Sequence, residues 1–150
     1  MAGTRPLWVC PECGRGFANL RQSHACGRHD LAAHLEGRSD AVRATYAAFL
    51  ALLEENGPVT VLPEQTRIAF QVRMSFAQLT LRREWALGHL VLARRVDSEV
   101  FTRVETFSRR NHLHAFRLDG PDEVERLRPW TPEAYAVGRQ EHLRHGREHP

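Results

Sequence analysis

Hydrophobic residues recur with a helical period near the start of the chain and with a strand period through its middle. After Ser39, apolar residues such as Val42 and Phe49 return every three or four positions until Gly57 and Pro58. This spacing predicts an amphipathic helix that Ser39 caps and that the glycine and proline end. The apolar stripe of this helix is assigned to the hydrophobic core.

From Val59 onward the period changes to two. Six short runs with local alternation are predicted as strands. They are Val59–Leu62, Arg67–Val72, Phe76–Leu81, Trp85–Ala93, Phe101–Phe107 and Leu113–Leu118. The gaps between these runs are too short for crossover helices, so the strands are expected to pair antiparallel as a meander. The alternation changes phase within the third run, which predicts a turn or bulge near Phe76 to Gln78.

Helical patterns lie at both ends of this strand region. The predicted helices are Asp30–Gly37, Pro121–Arg128 and Thr131 to about His145, in addition to the one that follows Ser39. Thr131 is expected to cap the last of them, with Pro132 at its first helical position. The sequence therefore predicts an α+β fold, in which an antiparallel meander sheet is flanked by N- and C-terminal helices.

Composition adds a distribution of charge to this picture. With 150 residues, of which 42% are hydrophobic, the chain can bury one core, and this excludes a disordered or collagen-like protein. All 21 basic residues are arginine, and the net charge is +3. Residues 66–118 contain ten arginines and four acidic residues, so this segment alone carries +6. The excess positive charge thus falls within the predicted strands.

The three cysteines are confined to the N-terminal segment, in a pattern typical of metal binding. Cys10 and Cys13 are separated by two residues, and His24 and Cys26 follow at C-x2-C-x10-H-x-C spacing. Two thiolates at this separation chelate one ion from a tight turn, and sulfur ligands favour zinc. Four protein ligands would make a closed structural site, in which no water is activated.

This segment resembles the first half of a zinc finger with two cysteine and two histidine ligands, including the aromatic residue four positions after the second cysteine. It departs from that pattern after His24, and His29 remains an alternative fourth ligand. We therefore predict that residues 1–29 form a zinc knuckle and that residues 30–150 form the α+β domain.

Arginines and histidines of the strand region are the candidate ligand-binding residues. They are Arg67, Arg82, Arg83, His112, His114 and Arg117. His112 and His114 are two residues apart in a predicted strand, so their side chains share a face and could form a site with an acid from a neighbouring strand. They could equally be half-buried and hydrogen-bonded, since Phe116 continues the same phase.

The sequence lacks the motifs that usually indicate several other classes of protein. No G-x-S-x-G, P-loop or G-x-G-x-x-G motif occurs, so nucleophilic and nucleotide-dependent catalysis is not indicated. No segment approaches the roughly 18 apolar residues of a membrane span, and Met1 to Trp8 lacks the apolar run of a signal peptide. We therefore expect no membrane partner and a cytoplasmic location.

Motifs along almost the whole chain resemble the bacterial family of unknown function DUF5655, in a form with an N-terminal metal knuckle. They are Cys-Pro-x-Cys-Gly-Arg-x-Phe, His-x-Cys-Gly-Arg, Thr66–Gln71, Arg82–Trp85, Val104–Phe107, His114–Leu118 and Glu133–Gly138. The resemblance implies a compact α+β domain and marks Arg67, Phe70, His114 and Arg117 as signature positions. It implies no activity.

Two functional hypotheses follow from the sequence. The first is a non-catalytic, zinc-stabilised binding protein, whose basic sheet face engages an anionic partner such as nucleic acid. The alternative is a small enzyme or ligand-binding protein that uses a pocket on the sheet, lined by Arg67, Arg117, His112 and His114.

Overall fold

The computed structural model describes residues 6–11, 14–21 and 30–142, and these residues form helices, a small hairpin and a large sheet. The helices are α1 (Leu31–Leu35), α2 (Asp40–Glu54), a 3₁₀ helix (Pro121–Trp130) and α3 (Thr131–Gly138). The strands are β1 (Trp8–Val9), β2 (Gly16–Phe17), β3 (Thr60–Pro63), β4 (Ile68–Gln71), β5 (Ser75–Leu81), β6 (Ala86–Leu92), β7 (Arg103–Ser108) and β8 (Asn111–Leu118).

The predicted α+β class is confirmed. Six antiparallel strands, β3 to β8, form one sheet with helices before and after it in the chain. The predicted bulge is also present, because Phe70 pairs with Ala77 and Gln71 with Ser75, which leaves Phe76 without a partner across β4.

The predicted meander is wrong for the last two strands, whose order in the sheet is exchanged. The strands are arranged β3-β4-β5-β6-β8-β7, so β8 lies beside β6 and β7 lies at the edge of the sheet. A long connection, residues 93–102, lets the chain pass over one strand position before β7 begins. The backbone N–H of Val96 in this connection donates to Nε2 of His114 on β8 at 2.9 Å. A side chain of β8, the strand inside the edge strand β7, therefore holds the connection that produces this order.

Helix α2 forms where the sequence predicts it. The Ser39 hydroxyl accepts a hydrogen bond from the N–H of Val42, and the helix ends before Gly57, which has a φ of +142°. A Cβ at Gly57 would collide with the hydroxyl of Tyr135 on α3. This hydroxyl donates to the carbonyl of Pro58 at 2.9 Å, so glycine allows α3 to approach the end of α2.

The C-terminal helices differ in detail from the prediction. Residues Pro121–Trp130 form a 3₁₀ helix, and α3 ends at Gly138 because Gln140 has a left-handed φ of +62°. Thr131 is not the N-cap but the first residue of α3, where its hydroxyl bonds to the carbonyl of Arg128. The prediction extended the last helix to about His145, and the residues after His142 lie outside the described part of the chain.

The helices pack on one face of the sheet and create the main core. Phe49 of α2 lies 5.2 Å from the ring of Phe70 on β4 and 5.8 Å from that of Phe116 on β8. We call this side the helix-covered face; it carries Ile68, Phe70, Leu79, Leu90 and Phe116, all of which are buried. Burial of such side chains contributes about 1.5–3 kcal/mol each to folding.

The opposite side, which we call the hairpin face, carries smaller and more polar residues. One row of directly paired residues crosses all six strands on this side. Its members are Leu62, Ala69, Gln78, His89, Ala115 and Arg103. The β1–β2 hairpin attaches to this face, because the Gln71 side-chain amide donates to the carbonyl of Gly16 at 2.6 Å.

Candidate functional site

Four of the six predicted ligand-binding residues lie at the same end of the large sheet. Antiparallel pairing brings the beginnings of β4 and β6 together with the ends of β5 and β8. Arg67 precedes β4, Arg82 and Arg83 connect β5 to β6, and Arg117 lies near the end of β8. We call this region, together with Arg38, the basic end of the sheet.

Arg38 was not predicted from the sequence, yet two backbone carbonyls hold its side chain at the basic end. Its Nε donates to the carbonyl of Leu81 at 2.8 Å, and its Nη1 donates to the carbonyl of Glu36 at 3.2 Å. Neither partner is a carboxylate, so the positive charge is not neutralised by these bonds. Arg38 lies in a loop between two helices, and nothing in the surrounding sequence indicates that its side chain reaches the end of β5.

The arginines of the basic end differ in how their charge is balanced. Arg67 pairs with Glu64 at 3.0 Å, and Arg117 pairs with Asp119 at 2.8 Å while its guanidinium lies 4.7 Å from the ring centre of Trp85. Within the described residues, the exposed side chains of Arg82 and Arg83 form no ion pair and no hydrogen bond. These two guanidinium groups are available for an anionic ligand.

A cleft of about 540 Å³ lies between α1 and the basic end. Arg38, Arg82, Thr66 and Thr80 are among the residues that line it. Asp30 also lines it, and its carboxylate caps α1 by accepting from the N–H of Ala32 at 3.0 Å. The cleft thus combines groups that bind anions with groups that accept hydrogen bonds.

Glu64, another lining residue, is largely occupied by protein contacts. Its carboxylate pairs with Arg67 and, at 3.4 Å, with Arg15 of the N-terminal hairpin. Its backbone carbonyl is hydrogen-bonded to Nε2 of the buried His34 at 2.6 Å. Because two guanidinium groups neutralise this carboxylate, it opposes an anion in the cleft less than an unpaired glutamate would.

His89 lies at the centre of the hairpin face and was not predicted as a site residue. It is directly opposite Gln78 on β5 and Ala115 on β8. Burial, together with the positive charges of Arg67 and Arg103, lowers the pKa of His89 to about 4. The imidazole is therefore neutral at pH 7. His89 lies within an otherwise apolar run of β6, and no motif in the sequence marks it as a site residue.

His112 and His114 are not at the basic end. Both side chains belong to the helix-covered face, paired across the strands with Leu92 and Leu90, and both are buried. Arg67 and Arg117 lie on the opposite face. The structure therefore does not bring these four side chains together in one pocket, because residues of odd and even number on β8 point to different faces.

Hydrogen bonds account for all four ring nitrogens of these two histidines. His114 accepts from Val96 N–H at Nε2, so its Nδ1–H donates to the carbonyl of His112 at 2.9 Å. His112 is hydrogen-bonded to the Thr106 hydroxyl at 2.9 Å and to the carbonyl of Arg109 at 3.2 Å. Burial is the largest cause of a lowered pKa at His114. These contacts are those of structural histidines.

The other arginines of the strand region are dispersed. Arg73 donates to Gln140, Arg94 forms a two-bond pair with Glu133 of α3, and Arg95 donates to Thr106. Arg103 pairs with Glu105 on the edge strand β7. The +6 charge of this segment is therefore not a continuous stripe. Within the described residues, guanidinium groups without a carboxylate partner lie both at the basic end and in the turn between β7 and β8, which contains Arg109 and Arg110.

The predicted metal ligands lie almost entirely outside the described residues. Of Cys10, Cys13, His24 and Cys26, the structure describes Cys10 alone, and it does not describe the alternative ligand His29. Within residues 6–11, 14–21 and 30–142, no group of three or more potential ligands comes together. The metal site and the division of the chain at residue 29 therefore stay predictions.

Around Cys10 the chain forms the tight hairpin that a C-x2-C pair requires. The N–H of Cys10 donates to the carbonyl of Arg15 at 2.9 Å, and the N–H of Gly14 donates to the carbonyl of Cys10 at 2.8 Å. Gly14 has a φ of +74°, which glycine adopts without strain. Cys10 itself is buried.

The described residues define an α+β protein with helices on one face of a six-stranded antiparallel sheet and an arginine cluster at one end of that sheet. None of the helices among them has the length and apolar character needed to cross a membrane. Residues 31–138 match the model of the family described as "Domain of unknown function (DUF5655)", and the chain belongs to this family. No curated protein and no solved structure matches the chain.

Proposed function

We propose that this protein is a non-catalytic binding module for an anionic partner, specifically nucleic acid, and that the basic end of the sheet makes the contact. The observation that carries the proposal is the pair Arg82 and Arg83, whose exposed guanidinium groups have no carboxylate partner within the described residues. Arginine binds phosphate oxygens with two parallel hydrogen bonds, so such groups suit a phosphate backbone.

The spacing of the arginines supports an extended ligand. Continuing the register of β4 and β5 by one residue places Arg67 opposite Thr80. Thr80 pairs with Leu87 on β6, and Leu87 pairs with Arg117 on β8. Three strand spacings of about 4.8 Å separate Arg67 from Arg117, or about 14 Å in all. A nucleic-acid strand rises by about 3.4 Å per nucleotide, so this distance spans about four nucleotides.

A histidine-arginine catalytic pocket has less support. His112 and His114 use their ring nitrogens in hydrogen bonds to the protein, and they lie on the face that the helices cover. A general base needs a lone pair within reach of the substrate. We therefore favour the binding module over the alternative of a small enzyme with these residues.

Fluorescence anisotropy with labelled single-stranded and duplex oligonucleotides tests the proposal. We expect binding at 50 mM salt that weakens steeply at 200 mM, because bound arginines displace counterions. The double variant Arg82→Gln/Arg83→Gln should bind about tenfold more weakly and reduce the salt slope by about two.

Arg94→Gln/Arg95→Gln is the matched control for that experiment. It removes the same charge from an adjacent arginine pair at the opposite end of β6, where both side chains have protein partners. This variant should retain most of the affinity. Absence of binding at low salt, or an equal loss in both double variants, would overturn the proposal.

We further propose that Cys10, Cys13, His24 and Cys26 bind one zinc ion that stabilises the N-terminal segment. The support is the spacing of these residues in the sequence, together with the hydrogen-bonded hairpin and the buried side chain at Cys10. A segment of about 30 residues has little core of its own, and a structural metal replaces one.

Elemental analysis of the purified chain tests this site. We expect close to one zinc per chain, with loss of the metal in Cys13→Ser. Comparison of Cys26→Ser with His29→Asn then identifies the fourth ligand, since only the variant that lacks a true ligand should lose zinc. Wild-type protein that contains no metal and remains folded would refute the proposal.

A further inference from the structure

The cleft between α1 and the basic end has a lining of unusual composition. Its polar lining residues include two chemical groups. Arg38 and Arg82 are basic, and Asp30, Thr66 and Thr80 have carboxylate or hydroxyl side chains. A volume of about 540 Å³ lies within the range of small-molecule sites.

The two arginines of the lining are suited to a phosphate group. Hydrogen bonds to the carbonyls of Leu81 and Glu36 fix the guanidinium of Arg38. They use two of its five N–H groups, so three remain for a ligand. Because the protein already holds this side chain in place, a bound anion would not have to immobilise it, which favours affinity. Arg82 adds a second cation from the turn after β5.

The carboxylate and hydroxyl side chains of the lining are suited to hydroxyl groups of a ligand. Asp30 uses one oxygen to cap α1, and a carboxylate has about four acceptor sites, so it can accept further bonds from ligand hydroxyls. The hydroxyls of Thr66 and Thr80 both donate and accept. Among the residues that the structure describes, no Phe, Tyr or Trp lines the cleft. A nucleobase would thus find no aromatic ring on which to stack, whereas a sugar would find several polar partners.

We infer that this cleft binds a sugar phosphate, with the phosphate on Arg38 and Arg82 and the sugar hydroxyls near Asp30. The ligand is either a soluble sugar phosphate or the phosphorylated terminal residue of a nucleic-acid chain. In the second case the inference rests on the proposed function and specifies which part of the nucleic acid the cleft recognises.

Isothermal titration calorimetry at low salt with ribose 5-phosphate, ribose and inorganic phosphate tests the inference. Ribose 5-phosphate should bind about tenfold more tightly than inorganic phosphate, because the sugar hydroxyls add bonds to Asp30 and the threonine hydroxyls, and ribose alone should show no binding. Equal affinity for ribose 5-phosphate and inorganic phosphate would contradict a sugar subsite.

Two substitutions separate the role of the arginines from that of Asp30. Arg82→Gln should weaken ribose 5-phosphate binding about tenfold, because it removes one charge-assisted contact to the phosphate. Asp30→Asn keeps an effective helix cap but removes the charge, so it should reduce the preference for ribose 5-phosphate over inorganic phosphate several-fold. Arg94→Gln, at the other end of β6, is the control and should leave both affinities unchanged.

Oligoribonucleotides with a 5′-phosphate or a 5′-hydroxyl distinguish the sources of the ligand. Tighter binding of the phosphorylated form, with competition by ribose 5-phosphate, would identify a chain end. Binding of ribose 5-phosphate without discrimination between the oligonucleotides would identify a soluble sugar phosphate. Equal binding of both oligonucleotides without any binding of ribose 5-phosphate would overturn the inference and leave the proposed function standing. If no probe binds, both fail.

Discussion

The two ends of strand β8 contain similar polar residues in opposite situations. At its beginning, the buried His112 and His114 direct every ring nitrogen to a partner in the protein. At its end, Arg117 is half-exposed beside Trp85 and close to Arg82 and Arg83, whose guanidinium groups have no described partner. Polar groups that form all their hydrogen bonds within the protein stabilise the fold. Polar groups that lack such bonds are available to a ligand.

The comparison also shows why residue type alone is a weak guide to function. Histidine is the commoner catalytic residue, and the pair at positions 112 and 114 has the spacing of a site. Yet Nε2 of His114 accepts from Val96 and so holds the connection between β6 and β7. Here the histidines hold the strands together, and the arginines form the candidate site.

The largest expected effect is on stability at the histidine end. His114→Ala removes the acceptor for Val96 N–H and the donor to the His112 carbonyl, and it leaves a cavity beside Phe101, whose ring lies 4.9 Å away. We expect the free energy of unfolding to fall by about 3 kcal/mol, measured by urea denaturation. An unchanged unfolding midpoint would show that the histidine end does not have this structural role.

A smaller effect on stability is expected when His89 takes up a proton at low pH. This histidine shares the hairpin face with Arg67 and Arg103. Its pKa of about 4 in the folded state lies below the ordinary value near 6.5. The unfolded chain therefore binds a proton that the folded chain does not, and stability falls as the pH drops through 6.5 toward 4.

Between pH 7 and pH 5 this single group should cost about 2 kcal/mol of stability. Chemical denaturation of wild type and of His89→Gln at both pH values isolates the effect, because all other titrating groups are shared. The variant should lose about 2 kcal/mol less than the wild type. Equal losses in the two proteins would mean that His89 is not held neutral by its surroundings.

The smallest effect is expected at the arginine end of the same strand. Arg117→Ala removes a half-exposed pair with Asp119 and the contact with the Trp85 ring. Such surface interactions each contribute about 0.5 kcal/mol, so the loss of unfolding free energy should be about 1 kcal/mol by the same urea assay. A loss as large as that of His114→Ala would remove the distinction between the two ends.

Local features of the fold were predictable because short segments contain the information for them. Ser39 caps α2, Gly57 and Pro58 follow its end, and the change of alternation near Phe76 marks a bulge. Thr131 shows the limit of this reasoning, since a residue typical of N-caps became the first residue of α3 instead. Its surroundings, rather than its own propensity, decided its role.

The candidate site was predicted in part. Arg67, Arg82, Arg83 and Arg117 were all chosen from the sequence, and the structure places them at one end of the sheet. Arg38 and His89 were missed, because Arg38 reaches the site through contacts to distant backbone carbonyls and His89 lies in an apolar run. Only the pairing of strands far apart in sequence reveals either position.

By itself, the sequence determined the class of fold, the positions of its helices and strands, and the concentration of arginine in the strand region. These features depend on spacing and propensity within some ten residues. The tertiary structure decided the order β6-β8-β7, the separation of the histidines from the arginines, and the cleft beside α1. Alternation along a strand shows which residues share a face, but neighbouring strands are chosen by contacts between distant segments, such as that of His114 with Val96.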